Sequence, residues 1–463
     1  MGNEALVTRL RDLLGRNAVL TDADVTASYA RDMMPLAPSG RPLAVVLPVD
    51  TAQVQAVVKA CGEAKVPIVP RGAGSGLSGA ANAVDGCVVL SLTKLDRIVE
   101  IDAGNRLAVV QPGVVNLDFR TAVEKHGLFY PPDPSSYDWC TIGGNLSTNA
   151  GGLCCVKYGV TTDSVLGLEV VLADGSLLKT GRRTVKGVAG YDLARLFVGS
   201  EGTLGVITQA TVQLKPLPQA PATLVAGFTS TEAAGEAVAR VVREGLVPSL
   251  LEIMDASSIK ASETYLKTDL GAGSDCQALL LGQSDAGGEV ARRELAALEQ
   301  ICVDCGAHLA YTTEDLEEGR MLLQARRVVL TALETYGIWL TDDVCVPRTR
   351  IAELIRGCEK ISEEVGLRIA VVGHAGDGNM HPTIVYQPDD PDEFARARQA
   401  FDAILEVGLS LGGTVTGEHG IGKIKREWLE REIGPVGLRV HREIKRALDP
   451  ENLFNPGSMF SMT

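Results

Sequence analysis

The chain is predicted to be an α+β protein with two principal lobes. Three observations carry that prediction. From Arg41 onward, short apolar runs alternate with helical stripes. The stretch Pro216-Leu-Pro218-Gln-Ala-Pro221 interrupts this pattern and marks a boundary. Beyond it, the order strand, helix, strand, strand, helix, strand is that of a ferredoxin-like unit. At 463 residues there is room for two or three domains of about 150 residues each.

Residues 1–40 read as a helical lead-in: a helix over Ala5 to Leu14, then one initiated by Thr21, with Asp24 three residues on. Residues 41–219 form the first lobe. Strands are expected over Leu43–Leu47, Val66–Val69, Cys87–Leu92 and Arg106–Gln111, and Val54, Val57, Val58 and Cys61 make one helical stripe. Val206–Leu214 alternates cleanly as a half-buried strand does. Residues 220–463 form the second lobe. It starts with the strand Ala222–Phe228, the helix Thr231–Glu244 and the strands Ser249–Met254 and Gln277–Gly282. A helix over Glu289–Val303 and a strand over His308–Thr312 complete the unit.

The formal charge of −14 argues against nucleic acid or an anionic membrane surface as the main partner. No apolar stretch approaches the roughly 20 residues of a membrane span, and the N-terminus has no apolar signal core. Ten cysteines without an export signal read as reduced thiols of a cytoplasmic protein. Cys302-x-x-Cys305 lacks the second pair a zinc site needs, and Cys154-Cys155 reads as packing.

Three glycine-rich loops fall in the first lobe. Gly74-Ser-Gly76-Leu-Ser-Gly79 satisfies the spacing of a dinucleotide fingerprint, yet no helix starts on those glycines, so a Rossmann reading is rejected. A turn with exposed backbone N–H groups remains, preceded by Arg71 and suited to a phosphate. Thr141–Gly152 and Gly199–Ile207 are similarly rich in small residues, and three such loops suggest a large phosphate-bearing cofactor.

Three of the six histidines lie in His374-Ala-Gly-Asp-Gly-Asn-Met-His381 and Gly417-Glu418-His419-Gly420. Two imidazoles, a carboxylate and a spare histidine are what a catalytic metal with its own base needs. Asp377-Gly378 predicts a two-residue hairpin turn between Arg368–Val372 and Pro382–Tyr386. In that register His374 directly faces His381, with Cβ atoms about 5 Å apart. Asp377 is an alternative ligand, but the turn already gives it a structural job.

The motifs VPRGAGSGLSGA, PPDPSSYDWCTIGGNLSTNAGG, VAGYDLARLFVGSEGTLGVIT, GHAGDGNMHP, GEHGIG and LDPENLFNPG recur in this order. Together they resemble the FAD-linked 2-hydroxyacid dehydrogenase family, of the glycolate oxidase catalytic subunit and flavin-dependent D-lactate dehydrogenase type. The resemblance implies a vanillyl-alcohol-oxidase-type FAD-binding lobe over residues 41–219 and a ferredoxin-like substrate or cap domain in the C-terminal part. It implies that the FAD pyrophosphate lies on Arg71, Gly72, Ala73, Gly74, Ser75, Gly76, Leu77 and Ser78. Flavin contacts then fall to Pro132, Asp133, Ser136, Gly143, Gly144, Asn145, Ser147, Asn149, Gly152, Gly202 and Ile207, with Asn455 reaching back. The Arg71–Ala80 loop holds no histidine or cysteine for a covalent tether; Cys140 lies near a tethering position of more distant flavoproteins, and non-covalent FAD is expected.

The resemblance implies oxidation of a 2-hydroxy acid to the 2-oxo acid with hydride passing to the flavin. For that reaction His374, His381 and Glu418 are expected to hold a divalent ion, zinc or manganese, and His419 to act as general base. Arg326, matched by spacing, would bind the substrate carboxylate, with Arg320 and Arg327 facing solvent. Leu330 and Thr341 stand where hydroxyglutarate enzymes bind the distal carboxylate, which favours glycolate or D-lactate. Electrons would pass to a partner protein or a quinone, in a homodimer or hetero-oligomer. The alternatives are a D-2-hydroxyglutarate dehydrogenase and a non-catalytic flavin-binding electron-transfer subunit.

Overall fold

The stripe Val54, Val57, Val58 and Cys61 is the buried face of a helix, Thr51–Ala64. Asp50 caps its start by accepting from the Gln53 N–H at 2.8 Å, and Lys65 ends it in the left-handed region. The computed structural model to which this helix belongs describes residues 2–462. These form two units. One contains the chain up to Gly151, Gly159–Leu217 and the chain from Glu418 onward; the other contains Gly152–Tyr158 and Pro218–Gly417.

In the first unit a four-stranded sheet runs Val19–Leu20, Ala44–Val46, Val88–Ser91, Ile68–Arg71, parallel over its last three strands. A five-stranded antiparallel sheet runs Ile98–Asp102, Leu107–Val110, Val206–Gln213, Val165–Val171, Leu177–Gly181. The second helix of the lead-in starts one residue later than read. Its cap is Asp22, whose carboxylate takes the N–H groups of Asp24 and Val25. The sequence pattern places residues 220–463 in the second lobe. Contacts instead return the chain from Glu418 to the first unit, where Leu453 and Phe454 fill the core with Ile68, Val88 and Leu90. Periodicity shows that a residue is buried, not against what.

In the second unit, β1 (Ala222–Phe228), β2 (Leu250–Asp255), β3 (Ala278–Ser284) and β4 (Leu309–Thr313) are ordered β4-β1-β3-β2, all antiparallel. With helices Thr231–Arg243 and Gly288–Asp304 this is the expected ferredoxin-like order. The sheet continues past β2. β5 (Ile338–Thr341), β6 (Arg368–His374) and β7 (Asn379–Tyr386) add to it in the order β2-β6-β7-β5. β1, β2 and β3 are buried along their whole length, so apolar residues occupy both faces of each and Glu252 and Asp255 of β2 are buried with them.

Candidate active site

The hairpin that carries two of the histidines differs from the predicted one by two residues. His374 pairs with Asn379, and His381 pairs with Val372. The turn is longer than two residues: the N–H groups of Asp377 and Gly378 both donate to His374 O at 3.0 Å. A contact outside the hairpin selects this turn. Val346 N–H donates to Gly378 O at 2.9 Å, and a Cβ on Gly378 (φ +82°) would sit 2.1 Å from Val346 O. A shift of two keeps every side chain on its own face. The two imidazoles are therefore diagonal neighbours, with ring centroids 5.2 Å apart and planes at 83°.

On the next strand lies a residue that the sequence reading missed. Ile253 of β2 pairs with Gly373, so one step along that register Glu252 faces His374. Glu252 is fully buried. Its Oε1 lies 2.7 Å from His374 Nδ1, and its Oε2 lies 2.9 Å from Arg326 Nε. The Arg326 N–H is not aligned on that oxygen, so the contact is an ion pair rather than a hydrogen bond. One acidic residue in the apolar run Leu250–Met254 was the available signal. Arg326 is itself buried near the end of the helix Leu316–Arg327, whereas Arg327 is exposed and Arg320 pairs with Glu317 at the surface. Arg326 Nη atoms form no hydrogen bond to protein among the described residues.

Asp343 anchors the strand end that leads out of this unit. Its Oδ2 accepts from Thr416 Oγ1 at 2.6 Å and Gly417 N at 2.9 Å, while Oδ1 is 3.8 Å from His381 Nδ1. Gly417 also presses on Asn379, whose side chain a Cβ would meet at 2.3 Å. Glu418 is the next residue. In the first unit, Glu418 Oε1 lies 3.9 Å from His419 Nε2. The loop after His419 is seated by Glu201, which accepts from Ile421 N and Gly422 N.

The first unit also contains most of the predicted cofactor residues. No helix follows Arg71, in keeping with the rejected Rossmann reading. Gly72 to Leu77 are partly exposed, and no backbone N–H from Gly72 to Ser78 donates to protein among the described residues. Such a row of N–H groups fits a pyrophosphate. Arg71 turns inward instead: its Nη2 donates to Arg31 O at 2.9 Å, and a Cβ on Gly74 would meet its guanidinium at 2.1 Å. It shapes the loop from within.

The second loop contains a helix that the reading missed, Ile142–Thr148, with Thr141 as its cap and Asn149 ending it at φ +55°. Asn145 is occupied inside the protein, accepting from Asn116 Nδ2 at 3.0 Å and donating to Cys140 Sγ at 3.3 Å. Ser147 Oγ donates to Gly143 O, and Pro132 O accepts from Asn116. Burial holds the Cys140 thiol above its ordinary pKa, which makes it a poor nucleophile for a tether. Gly202 (φ +68°) lies against Pro70, and Ile207 is buried in its strand. Asn455 reaches the glycine loop, donating through Nδ2 to Ala80 O and Glu201 O at 2.8 Å each; its buried Oδ1 has no hydrogen-bond partner among the described residues. Asp133 is buried, Ser136 O accepts from Cys140 N, and Gly144 N donates to Thr141 Oγ1. Gly152 opens the short segment assigned to the second unit.

Two family models cover most of the chain: one described as the FAD binding domain matches residues 42–181, and one described as FAD linked oxidases, C-terminal domain, matches 217–459. Together these two matches make the chain a FAD-dependent oxidoreductase. Glycolate oxidase subunit GlcD of Bacillus subtilis is 42% identical over 94% of this chain and 92% of its own length. D-lactate dehydrogenase of Anaerostipes hadrus is 32% identical over 98% and 97%. The chain belongs to the FAD-linked 2-hydroxyacid dehydrogenase family. The structure of p-cresol methylhydroxylase, 21% identical, covers 99% of this chain and 97% of its own at a TM-score of 0.83, which is the fold expected. Among the described residues no helix is long and apolar enough to cross a membrane.

Proposed function

We propose that this chain oxidises a short 2-hydroxy acid, glycolate or D-lactate, to the 2-oxo acid. The observation that carries the reading is Glu252 between His374 and Arg326. With Nδ1–H donating to Glu252, His374 has its lone pair on Nε2, and a carboxylate behind the ring in this way is common at metal-ligating histidines. His381 is its neighbour on the same face, and Thr416 and Gly417, held on Asp343, lead the chain directly into Glu418. His374, His381 and Glu418 make a ligand set for zinc or manganese. When bound, the ion supplies a Lewis acid for the substrate hydroxyl, and FAD, held without a covalent bond, supplies the hydride acceptor.

The protein's own residues do the rest. His419 takes the hydroxyl proton, since a neutral imidazole is available near pH 7. Arg326, with Nε turned to Glu252, offers its terminal nitrogens to the substrate carboxylate as a fork. Thr341 is buried and its hydroxyl accepts from Thr383 Oγ1 at 3.1 Å, so it brings no cation to a second carboxylate. That favours a monocarboxylate over 2-hydroxyglutarate. We place the enzyme in the cytoplasm, as a homodimer or hetero-oligomer passing electrons to a partner protein or quinone.

Anaerobic addition of glycolate, D-lactate, L-lactate or D-2-hydroxyglutarate to the yellow protein tests the reading. Bleaching by glycolate or D-lactate, lost on chelation and restored by zinc or manganese, is expected. Absence of bleaching with every acid would overturn it in favour of a non-catalytic flavin-binding subunit.

A further inference from the structure

We propose that Glu201 is a positioning residue for His419, acting through the loop Gly420–Gly422. The inference deepens the reading of His419 as the base and rests on it. Glu201 is 5% exposed and takes a left-handed conformation, φ +52°, that non-glycine residues adopt only when the surroundings hold them there. Its backbone is held on both sides: its N–H donates to Ser147 O at 2.8 Å, and its carbonyl accepts from Asn455 Nδ2 at 2.8 Å.

The carboxylate so placed spends both oxygens on consecutive amides of the histidine loop. Oε1 accepts from Ile421 N at 2.7 Å and Oε2 from Gly422 N at 2.8 Å, with Ser458 Oγ at 3.4 Å. The seat tolerates no side chain. A Cβ on Gly420 (φ +88°) would lie 2.6 Å from Glu201 Oε1, and one on Gly422 (φ +53°) would lie 2.0 Å from Ser78 O. Lys423 then closes the loop on the glycine-rich segment, with its N–H on Ser78 O at 2.9 Å and Nζ on Asn82 O at 2.6 Å. His419 therefore leaves from a fixed backbone two residues before the first clamped amide, that of Ile421. Burial pushes Glu201 up to about 7, so the paired N–H donors are what keep its charged form accessible inside the protein.

Replacing Glu201 by Gln sets an amide NH2 against one of two N–H donors, which frees the loop without removing His419. E201Q should keep its FAD content and speed amide exchange in peptides spanning residues 418–424. It should slow anaerobic flavin reduction at saturating substrate about 10- to 100-fold, the usual cost of a misplaced group. Since the effect passes through His419, adding E201Q to H419A should change the remaining rate by less than about twofold. An unchanged rate or exchange pattern in E201Q, or an equal loss in the H419A background, overturns the inference. H419A reducing flavin as fast as wild type overturns the base reading instead, whatever E201Q does. Should E201Q not fold, E201D, which keeps the charge but is too short to span both amides, is expected to show the same pattern.

Discussion

Glu252 Oε1 lies 2.7 Å from His374 Nδ1, on a carboxylate that no solvent reaches. Its second oxygen neutralises Arg326 at 2.9 Å. One carboxylate thus serves two neighbours with different needs: it holds a proton on a chosen imidazole nitrogen, and it balances a guanidinium that burial would otherwise make costly.

Removing Glu252 should be felt twice. E252A leaves Arg326 charged and buried, and denaturant unfolding should show a loss of about 3–5 kcal/mol. Metal content after dialysis should reveal a 10- to 100-fold weaker site, roughly the usual effect of losing an outer-shell carboxylate. The double variant E252L/R326M, with neither charge, should recover most of the stability and none of the catalysis.

Gly378→Ala probes the turn. A left-handed alanine costs about 1–2 kcal/mol, and here the methyl group would also meet Val346 O at 2.1 Å. Urea unfolding should therefore show a larger loss than that conformational cost alone. The same variant should bind metal more weakly, because the turn sets the spacing of the two imidazoles.

Two buried carboxyls predict a pH trend. Burial pushes Asp32 and Asp255 up to about 6 each. A carboxyl raised in the folded protein binds its proton more tightly there than in the unfolded chain. Its contribution is complete below the unfolded value near 4 and is lost as pH rises through about 6. Thermal unfolding from pH 4 to 8 should show this decline. D255N, which keeps a capping side chain for Ser258 N, should flatten it.

Lys445 and Asp449 form a second buried ion pair at 2.5 Å, and Asp449 also accepts from Leu453 N and Phe454 N. D449A should cost about 3–5 kcal/mol by stranding the ammonium. Limited proteolysis should show the segment after Leu448 opening first.

The ferredoxin-like order was legible because each of its strands and helices carries its own periodicity. The face shared by His374 and His381 was legible for a similar reason, since an even shift in register preserves it. Their register was not, because Val346 chooses the turn from outside the hairpin. Glu252 was invisible as a partner for an equivalent reason: it faces His374 only through strand pairing across 122 residues. Arg71 and Asn145 read as cofactor contacts from motif alone; their hydrogen bonds to Arg31 O and Asn116 Nδ2 were not legible, because both partners lie far away in sequence. The Ile142–Thr148 helix escaped notice because glycine, asparagine, serine and threonine are poor helix formers, and packing of Ile142 and Leu146 outweighs that.

The return of Leu453 and Phe454 to the core beside Ile68 has a consequence for biosynthesis. Phe454 bridges Ile68, and Asn455 N–H donates to Ile68 O at 2.8 Å. At ribosomal speeds of about 5–20 residues per second, roughly 20–80 s separate the appearance of those two partners. Throughout that interval the nascent first unit carries an uncovered apolar flank beside Ile68, while the intervening unit can already fold on local contacts.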